Sequence, residues 1–475
     1  MIWSIAWKNV WRNRKRSLIV IASVMLGTTA GVFTTGLIIG WVDQRVKVVI
    51  HTEDAHIKIH SPAYLSNEEI SNTIQQSDAI AHYLDKMPEV KAYSKRIKLM
   101  TMAATSRGNT ALLLQGIDVM KEKQVSELYT QIIPNGGNFF ENAGSYPIVI
   151  SEKSAEQLRI KSFQLSESKI DSLQKADVPG DVLAKLNPIL NIRYNTKNLF
   201  RKDVEKYLSK KEISNYGFAI NKASEHFRLR SKIVFTLTDK QGELISQSFR
   251  VCGIFHTSNS MFDQLNAFVL QKDLAQLAGM GPNEFHEIGV LLHDNEATKS
   301  VQQDIKKHFP QASVLNWMEL APDAGIITQY MDLYNYIIMG FILFALAFGI
   351  INTMLMAVLE RTKELGMLMA IGMNHKRVFN MIMLETVFLT LVGAVAGMLL
   401  GWIVIEISSR TGLDFSSVGE GFEAMGWPAI VYPRITFNYF VGITLLVIAT
   451  GILASIIPAR KALKLNPVEA IRTDN

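Results

Sequence analysis

The sequence predicts an α-helical membrane protein with four transmembrane helices and a large α+β extracytoplasmic domain inserted between the first and second helices. Two observations predict this fold class. No charged residue occurs between Arg16 and Asp43, and three further apolar runs of similar length appear only after residue 332. The long segment 43–332 mixes strand-like alternation with helical periodicity, as α+β domains do.

Four segments are long enough to cross a bilayer as helices. About twenty apolar residues span the roughly 30 Å of hydrocarbon, and the predicted spans are 17–42, 333–359, 378–405 and 435–459. Only the third span contains a charged side chain, Glu385. Basic residues precede the first run, as in a signal peptide, but signal-peptide apolar regions have only about 7–15 residues. We therefore predict that the first run stays in the membrane.

The basic residues at the helix ends predict the orientation, because Lys and Arg favour the cytoplasmic side of a membrane. They gather before the first span, between the second and third, and after the fourth: Lys8, Arg12, Arg14, Lys15, Arg16, Arg361, Lys363, Lys376, Arg377, Arg460, Lys461, Lys464 and Arg472. We predict a multi-pass membrane protein with both termini, the 360–377 segment and the 460–475 tail in the cytoplasm. The domain 43–332 and the 406–434 loop then lie outside.

The N-terminal segment 1–16 is predicted to form a short amphipathic helix in the cytoplasmic interface. Trp3, Trp7 and Trp11 recur every four residues among basic residues, which places them on one helix face. The basic ends of the spans account for much of the net charge of +6. This charge therefore indicates topology and headgroup contact, and we expect no nucleic-acid binding.

Period-two patterns predict strands in the external domain. In residues 55–60 apolar and polar side chains alternate, which predicts a half-buried strand. Residues 233–238 and 245–255 flank the turn sequence Asp239-Lys240-Gln241-Gly242, which predicts a β-hairpin.

The stretch 162–230 differs in texture from the rest of the external domain. It is rich in Lys, Ser and Asn, and Pro179 and Pro188 punctuate helical pieces such as 202–210. We interpret it as a helical insertion in a β-rich domain. A partner-binding arm and a surface elaboration are equally compatible with this composition.

The external domain shows no pattern typical of catalysis or metal binding. His56 and His60 would lie about 13 Å apart in a strand, at roughly 3.3 Å per residue, too far to share an ion. No G-x-S-x-G, H-E-x-x-H or paired C-x-x-C motif occurs, and the single cysteine, Cys252, excludes an intrachain disulfide. We predict no catalytic residue, no metal site and no cofactor in this chain. The domain is expected to bind a partner or substrate.

A short charged helix is predicted between the second and third spans. Its charged side chains suit a groove on a soluble subunit, with Leu365, Leu368 and Ile371 beneath, while Gly366 and Gly372 permit close approach and a turn. A loop that only marks the cytoplasmic side needs the cations but neither the acids nor the small residues. The predicted coupling residues are Glu360, Arg361, Thr362, Lys363, Glu364, Gly366, Ala370 and Gly372.

The same segment resembles the coupling loop of the FtsX-like permease family. Residues 360–372 match the family pattern E-R-T-x-E-x-G-x-x-x-A-x-G at all seven fixed positions. The end of the chain resembles the family's P-A-R-x-A and P-V-E-A-L-R tail, with Ile471 in place of Leu. The tail residues in this resemblance are Pro458, Ala459, Arg460, Pro467, Glu469 and Arg472. The resemblance is weakest near 162–230.

This family comprises permeases of mechanotransmission-type ABC transporters, including the LolC and LolE, MacB and FtsX types. The resemblance implies a non-catalytic permease subunit with a MacB-like periplasmic core domain. Because no G-x-x-x-x-G-K-[ST] occurs in this chain, it implies a separate LolD-like ATPase that binds ATP and magnesium. It also implies a second permease copy or a paralogue.

The function that the resemblance implies first is extraction and release of lipoproteins from the inner membrane, with delivery to a periplasmic carrier. MacB-like efflux of peptides or small molecules is one alternative. FtsX-like mechanical signalling to a cell-wall hydrolase is another. In the LolC and LolE type the acyl chains lie between the first and second spans, near their outer ends. The lipid-lining residues predicted on this basis are Phe33, Leu37, Tyr334, Ile338 and Phe341.

Small residues and one acid mark the third span. Gly393, Gly397 and Gly401 recur every four residues, a spacing that lets membrane helices approach closely. Packing within the chain and dimerisation are equally compatible with it. Glu385 is costly in lipid and should face protein or water, so we predict a structural ion pair.

Overall fold

The computed structural model describes residues 11–12, 14–141, 144–175 and 178–463. In chain order the helices are α1 (Arg14–Val48), α2 (Pro62–Ser66), α3 (Ser77–Leu84), α4 (Val119–Val125), α5 (Glu152–Gln157), α6 (Glu167–Lys175), α7 (Gly180–Lys185), α8 (Lys197–Tyr207), α9 (Lys210–Ser224), α10 (Ser260–Leu265), α11 (Gln271–Ala278), α12 (Thr298–His308), α13 (Trp317–Leu320), α14 (Pro322–Gln329), α15 (Met331–Glu360), α16 (Thr362–Ala370), α17 (His375–Thr411), α18 (Gly419–Ala424) and α19 (Phe437–Leu463).

The strands are β1 (Ile57–His60), β2 (Val90–Ala104), β3 (Asn109–Ile117), β4 (Ile132–Gly137), β5 (Pro147–Ser151), β6 (Lys161–Phe163), β7 (Glu225–Phe227), β8 (Lys232–Thr238), β9 (Leu244–Phe255), β10 (Asn266–Leu270), β11 (Glu287–Leu292), β12 (Ser313–Asn316), β13 (Leu413–Asp414) and β14 (Ile430–Val431). These elements fall into two compact units. The α+β unit comprises Val46–Gly325 and Glu420–Trp427, and the helical unit comprises the other described residues.

Among the described residues, four helices, α1, α15, α17 and α19, are long and apolar enough to cross a membrane. This confirms the predicted four-helix plan. The first three run past the predicted apolar segments at both ends. A helix satisfies its own backbone hydrogen bonds, so it need not end where the hydrocarbon ends.

Helix α17 packs against α1 through its glycines. A Cβ atom added at Gly393 would lie 2.7 Å from Val24 Cβ, and one added at Gly397 would lie 2.6 Å from the main-chain oxygen of Met25. At Gly401 the nearest atom would be Val32 Cγ1, at 2.9 Å. Since a side chain has no room at these positions, glycine lets the two helices approach closely within one chain.

Helix α19 packs against both α15 and α17 and completes the core of the helical unit. Fully buried side chains from these three helices, such as Ile350, Val378 and Val447, meet in one apolar cluster. Each long helix therefore buries one side against the other spans and leaves apolar side chains on the other, as a membrane-spanning bundle requires.

Six strands of the α+β unit close into a ring. In order around the ring they are β2, β3, β10, β5, β9 and β8, and β8 pairs back with the end of β2. Closure removes the unpaired edges that an open sheet would expose. The ring encloses an apolar core that includes Leu112, Phe235 and Phe249.

A second layer of the unit shares strand β2. The first residues of β2 pair with β11, and the sheet continues through β1 to β12. Helices α3 and α12 contribute Ile80 and Ile305 to the apolar cluster of this sheet. One long strand thus belongs to both parts of the unit.

The predicted hairpin is confirmed, whereas the predicted half-buried strand is wrong. Strands β8 and β9 pair from Lys232 with Arg250 to Thr238 with Leu244. In β1, by contrast, all four residues are buried. Strand β1 lies between β11 and β12, and Lys58 on its polar face contacts the acids Asp54 and Glu287. A period-two pattern cannot distinguish such a buried polar face from a solvent-exposed one.

The insertion forms a lobe with its own apolar core, which includes Phe163, Phe200 and Ile220. The predicted helix 202–210 is confirmed only as far as Tyr207, where α8 ends, and a new helix begins at Lys210. Ser209 and Glu212 form a capping box that starts α9. The Ser-x-x-Glu spacing was a sequence signal for this break.

Candidate functional site

The helix between the second and third spans follows α15 closely and ends in a defined cap. Helix α15 ends at Glu360, and α16 starts after the single residue Arg361. Gly372, with φ of 99°, closes α16: its N–H donates to the Met369 carbonyl, and the N–H of Met373 donates to the Leu368 carbonyl. This Schellman-type ending needs a left-handed residue, which glycine supplies without strain.

The side chain of Arg361 points into the helical unit. Its Nη1 atom lies 3.1 Å from Glu385 Oε1 and 3.3 Å from Oε2, and the two side chains are 13% and 6% exposed. Glu385 of α17 therefore forms a buried ion pair with the residue that joins α15 to α16. We predicted Arg361 on the docking face, and the structure corrects that placement: the acid on α17 draws the guanidinium inward.

The side chain of Glu364 points outward and forms an ion pair with Arg12, just before α1. Both side chains are about half exposed. Together with the Arg361–Glu385 pair, this contact links α16 to the start of α1 and to α17. Trp3, Trp7 and Lys8, which belong to the predicted amphipathic helix, lie outside the described residues.

The two ion pairs border a cavity of about 210 Å³. Its walls are otherwise apolar, from Met354, Ala357, Val358, Leu365, Leu368, Met381 and Ile382. Four charged groups on a small apolar cavity carry no nucleophile and no metal-binding set. Residues of α15, α16 and α17 all line the cavity. A displacement of α16 can therefore be transmitted to the other two helices.

The opposite side of α16 is exposed. Glu360, Lys363, Met367 and Ala370 are exposed, and Ile371 is 80% exposed. Leu365 and Gly366 are buried, and Thr362 and Leu368 are half-buried. Ile371 was predicted beneath the helix and is not, because α16 ends at Ala370 and the chain turns at Gly372.

The other predicted residues do not gather at this site. Within α19, Pro458 and Ala459 are buried and Arg460 is exposed. Pro467, Glu469 and Arg472 lie outside the described residues. Of the predicted lipid-lining set, Phe33 packs against the helical core, Leu37 and Ile338 are half-buried, and Tyr334 and Phe341 are exposed. None of these five lines the cavity beside α16.

The α+β unit contains a buried charge network that the sequence analysis missed. Glu287 is completely buried and accepts hydrogen bonds from Arg96 Nη1 at 2.7 Å and Lys98 Nζ at 2.9 Å. Arg96 also binds Glu122, at 2.6 Å from Nη2. Lys58 Nζ lies 3.5 Å from Glu287 and 2.5 Å from Asp54. Burial raises the pKa of Glu287, but Lys58, Lys98 and Arg96 outweigh it and hold that pKa well below its usual range.

A second titratable cluster surrounds His256. Its imidazole lies 3.5 Å from carboxylate oxygens of Glu152 and of Asp263 and 3.8 Å from Glu423. Asp263 accepts hydrogen bonds from the Thr257 N–H at 3.0 Å and hydroxyl at 2.7 Å. Burial nevertheless raises the pKa of Asp263 to about 7. Among the described residues, no cluster of three or more His, Cys, Asp or Glu side chains could hold a metal ion.

These features define a four-span membrane protein with a large α+β unit after its first span and a short charged helix after its second. Residues 336–467 match the family model described as FtsX-like permease C-terminal. The chain therefore carries an FtsX-like permease domain, which contains α16 and most of the last three spans.

Its curated relatives include ABC transporter permeases. The chain is 27% identical over 242 residues to an uncharacterised ABC transporter permease of Methanocaldococcus jannaschii, and this match covers 49% of the chain and 58% of the relative. It is 28% identical to the uncharacterised ABC transporter permease YknZ of Bacillus subtilis, over 39% of the chain and 40% of the relative. It is also 28% identical to the macrolide export ATP-binding/permease protein MacB of Vibrio parahaemolyticus, over 51% and 36%. The chain thus spans between about a third and three fifths of these relatives' lengths.

Two solved structures overlap the chain weakly. The extracellular domain of YknZ from Gram-positive bacteria aligns with a TM-score of 0.28 and 14% identity, over 55% of this chain and 99% of that one. The periplasmic region of MacB from Actinobacillus actinomycetemcomitans aligns with the same TM-score and 12% identity, over 58% and 92%.

Proposed function

We propose that this chain is the permease subunit of an ABC transporter, and that α16 receives the motion of a separate, LolD-like ATPase. The ATPase binds ATP and magnesium, and the chain itself performs no catalysis. The exposed side of α16 forms the docking face, with Glu360 and Lys363 as charges and Met367 and Ile371 as apolar contacts. Charged and apolar groups side by side are typical of protein interfaces that form and separate.

The observation that carries this proposal is the attachment of α16 on its inner side. One residue, Arg361, separates α16 from α15, and its side chain is bonded to Glu385 of α17. Leu365 is buried beneath. A displacement of α16 must therefore move the ends of the second and third spans, because the one-residue connection and the buried ion pair restrict independent movement of α16.

The orientation in this proposal follows the basic residues. Arg12, Lys363, Lys376 and Arg377 stand near one set of helix ends, which the positive-inside rule assigns to the cytoplasm. The α+β unit then works on the outer side of the bacterial inner membrane. A second permease copy or a paralogue completes the membrane part, paired with two ATPase subunits.

The cargo we propose first is a lipoprotein, extracted from the inner membrane and passed to a periplasmic carrier. The support is the sequence resemblance of the coupling segment and the tail to the family that contains the LolC and LolE permeases. On this proposal Phe33, Leu37, Tyr334, Ile338 and Phe341 contact acyl chains. Exposed aromatic rings at Tyr334 and Phe341 suit lipid contact.

Export of a small molecule or peptide is the second candidate, and the sequence relatives favour it. Two of them are named for export of macrolides and of pyoverdine, the latter PvdT of Pseudomonas syringae, 25% identical over 52% of the chain. Purification of the chain with an adaptor and an outer-membrane duct protein would support this candidate. Purification with a cell-wall hydrolase would instead support mechanical signalling.

Affinity purification of the full chain in mild detergent, followed by mass spectrometry, tests the coupling and the cargo together. We expect a P-loop ATPase and triacylated lipoproteins with the unmodified chain. Glu360→Lys should lose the ATPase, because it reverses a charge on the docking face. Its matched control is Glu406→Lys, which breaks an exposed ion pair with Arg410 at the other end of α17.

The outcomes separate the parts of the proposal. Absence of any ATPase from the unmodified chain contradicts the transporter assignment, and equal ATPase recovery with Glu360→Lys contradicts the role of α16. Recovery of the ATPase with export components and without lipoproteins keeps the coupling but replaces the cargo.

A further inference from the structure

One face of a small ribbon in the α+β unit carries basic side chains. Strands β6 and β7 pair with Ser162 opposite His226. Tyr194 extends the ribbon, since the main chains of Phe163 and Tyr194 exchange two N–H to carbonyl hydrogen bonds of 2.8 Å. Side chains alternate across an extended chain. Because Tyr194 is buried, its neighbour Arg193 lies on the exposed face.

Three arginines meet on this face. Arg193 Nε donates a hydrogen bond to Ser162 Oγ at 3.2 Å. Arg107, in the turn between β2 and β3, donates from Nη1 to Asn195 Oδ1 at 3.4 Å. Arg228 follows β7, two residues after His226 and therefore on the same side of the chain. We call Arg107, Arg193 and Arg228, with Lys169 and His226 beside them, the arginine face.

At the centre of the arginine face, the charges that act on Arg228 and His226 come from basic residues. The Nε atom of Arg228 is buried and has no hydrogen-bond acceptor among the described residues. Partial burial and the charges of Arg193 and Arg107 lower the pKa of Arg228. Burial and the charges of Lys169, Arg193 and Arg228 lower the pKa of His226. All the neighbouring charges that act on these two groups are positive.

The nearest acid is engaged elsewhere. The carboxylate of Glu225 lies 3.0 Å from Lys161 Nζ on the other side of the ribbon. Lys169 Nζ donates a hydrogen bond to the main-chain carbonyl of Glu225 at 2.6 Å, and the charge of Glu225 raises the pKa of Lys169, although burial outweighs it. Like charges held together without a counter-ion cost free energy, and a buried N–H without an acceptor adds to that cost. A bound anion removes both.

We propose that the arginine face is a binding site for a phosphate group, with Arg228 at its centre and Arg193, Arg107 and Lys169 around it. A phosphate monoester carries about −1.5 to −2 charges at neutral pH and offers three acceptor oxygens. A carboxylate offers two oxygens and one charge. Guanidinium groups bind phosphate through paired N–H donors. Several guanidinium groups around one site therefore match a phosphate better than a carboxylate.

The site lies at the base of the insertion, where β6 leaves and β7 re-enters the rest of the α+β unit. It is independent of α16 and of the proposed cargo. Its ligand is either a soluble phosphorylated molecule or the headgroup of an anionic lipid, since both present the same chemical group.

Calorimetric titration of the full chain in detergent with glycerol 3-phosphate tests the soluble source. A second arm uses the full chain in phosphatidylcholine nanodiscs with and without phosphatidic acid, with glycerol 3-phosphate as competitor. We expect saturable binding of glycerol 3-phosphate in the first arm. In the second arm, phosphatidic acid should displace glycerol 3-phosphate only if the lipid is the natural source. Arg228→Gln should weaken binding about tenfold or more, as loss of a charge-assisted hydrogen bond does.

The matched control is Arg201→Gln on α8, an exposed arginine paired with Glu205, which should leave binding within about twofold. Thermal unfolding separates an effect on binding from an effect on the fold. The melting temperature of Arg228→Gln should be no lower than that of the unmodified chain, because the substitution removes no hydrogen bond of the Arg228 Nε atom. Absence of saturable binding in both arms, equal affinity of Arg228→Gln, or equally tight binding of succinate would each overturn the assignment.

Discussion

The two units of the chain bury charge in different ways. In the α+β unit, Glu287 is bonded to Arg96 and Lys98, and Arg96 continues the network to Glu122. In the helical unit, Glu385 is bonded to Arg361 at 3.1 Å, and the buried cluster around the helices is apolar. The first network shares each charge among several partners, whereas the second relies on one pair.

The difference shows what each unit tolerates. A buried charge is stable only when opposite charges and hydrogen bonds replace the water it has lost. In the α+β unit, distant strands supply these groups, so removal of Glu287 leaves Lys98 without an acid and takes one of two acids from Arg96 and from Lys58. In the helical unit, removal of one acid leaves one cation that is still partly exposed. We therefore expect stability effects to be larger in the α+β unit and functional effects to be larger at α16.

Glu287→Gln is the strongest test of this comparison. The change leaves Lys98 without its acid and weakens the positions of Arg96 and Lys58, so the free energy of unfolding should fall by about 3–5 kcal/mol. Thermal and urea unfolding of the full chain in detergent measure it. The control Glu205→Gln, at an exposed pair, should cost under about 1 kcal/mol. Equal effects for the two variants would contradict a stabilising role for the network.

Asp263 should make the stability of the α+β unit depend on pH. Its pKa is raised to about 7, so the fold disfavours the ionised form. The stability that neutral Asp263 contributes is fully present below about pH 4 and is lost as pH rises through about 7. As pH rises over this range, the free energy of unfolding of Asp263→Asn should increase relative to that of the unmodified chain by on the order of a few kcal/mol.

Unfolding curves at several pH values, recorded in a His256→Gln background, isolate the titration of Asp263 from that of its neighbour. Parallel stability profiles with and without Asp263→Asn would show that burial does not shift this carboxyl group. A difference that grows with falling pH would show a shift of the opposite sign.

Gly397→Ala tests whether close packing stabilises the helical unit. The added Cβ would lie 2.6 Å from the main-chain oxygen of Met25 and 2.7 Å from Thr28 Cβ, and backbone atoms cannot move away cheaply. We expect a loss of about 1–3 kcal/mol. The control Gly349→Ala on α15 has open space around the added atom and should be neutral or slightly stabilising. The melting temperature of the full chain reports both.

Glu385→Gln should cost about 1–2 kcal/mol, because Arg361 keeps a hydrogen-bond acceptor and some access to water. The charge exchange Arg361→Glu with Glu385→Arg should restore part of this stability, which a double-mutant cycle on the unfolding free energy measures. ATPase activity of the purified complex is the second readout. If complexes with Arg361→Glu alone and with Glu385→Arg alone hydrolyse ATP as the unmodified complex does, the Arg361–Glu385 pair does not transmit motion.

Glu364→Gln is the smallest expected stability effect. Its ion pair with Arg12 is about half exposed, and water and salt screen such pairs, so we expect under about 1 kcal/mol. A large loss of stability would mean that the pair fixes α16 to the start of α1, contrary to the comparison. Melting temperatures at low and high salt distinguish a screened pair from a structural one.

The apolar runs predicted the spans because the bilayer requires a minimum length, a constraint that is local in sequence. The hairpin of β8 and β9 was also predictable, since Asp239–Gly242 connect strands that are neighbours in sequence. The break before α9 also carried a local signal, the capping box of Ser209 with Glu212, although we predicted one helix across it. Errors of this kind can be corrected from the sequence alone.

The burial of Lys58 could not be predicted in the same way. Its partners Glu287 and Asp54 come from elements that meet only when β1 enters the sheet between β11 and β12. Arg361 was misplaced for the same reason: its direction depends on Glu385 in the next span. The arginine face joins side chains from a turn, a loop and a strand end, and the sequence gives no spacing for such a set.

The sequence by itself determined the number of spans, the position of the α+β unit between the first two, and the charged helix after the second, because these depend on length, composition and local motifs. Only the tertiary structure decided which charges are buried, which side of α16 is exposed and where cations gather without acids. These properties arise from contacts between residues far apart in the chain, and their energies depend on how much water the fold excludes from each contact.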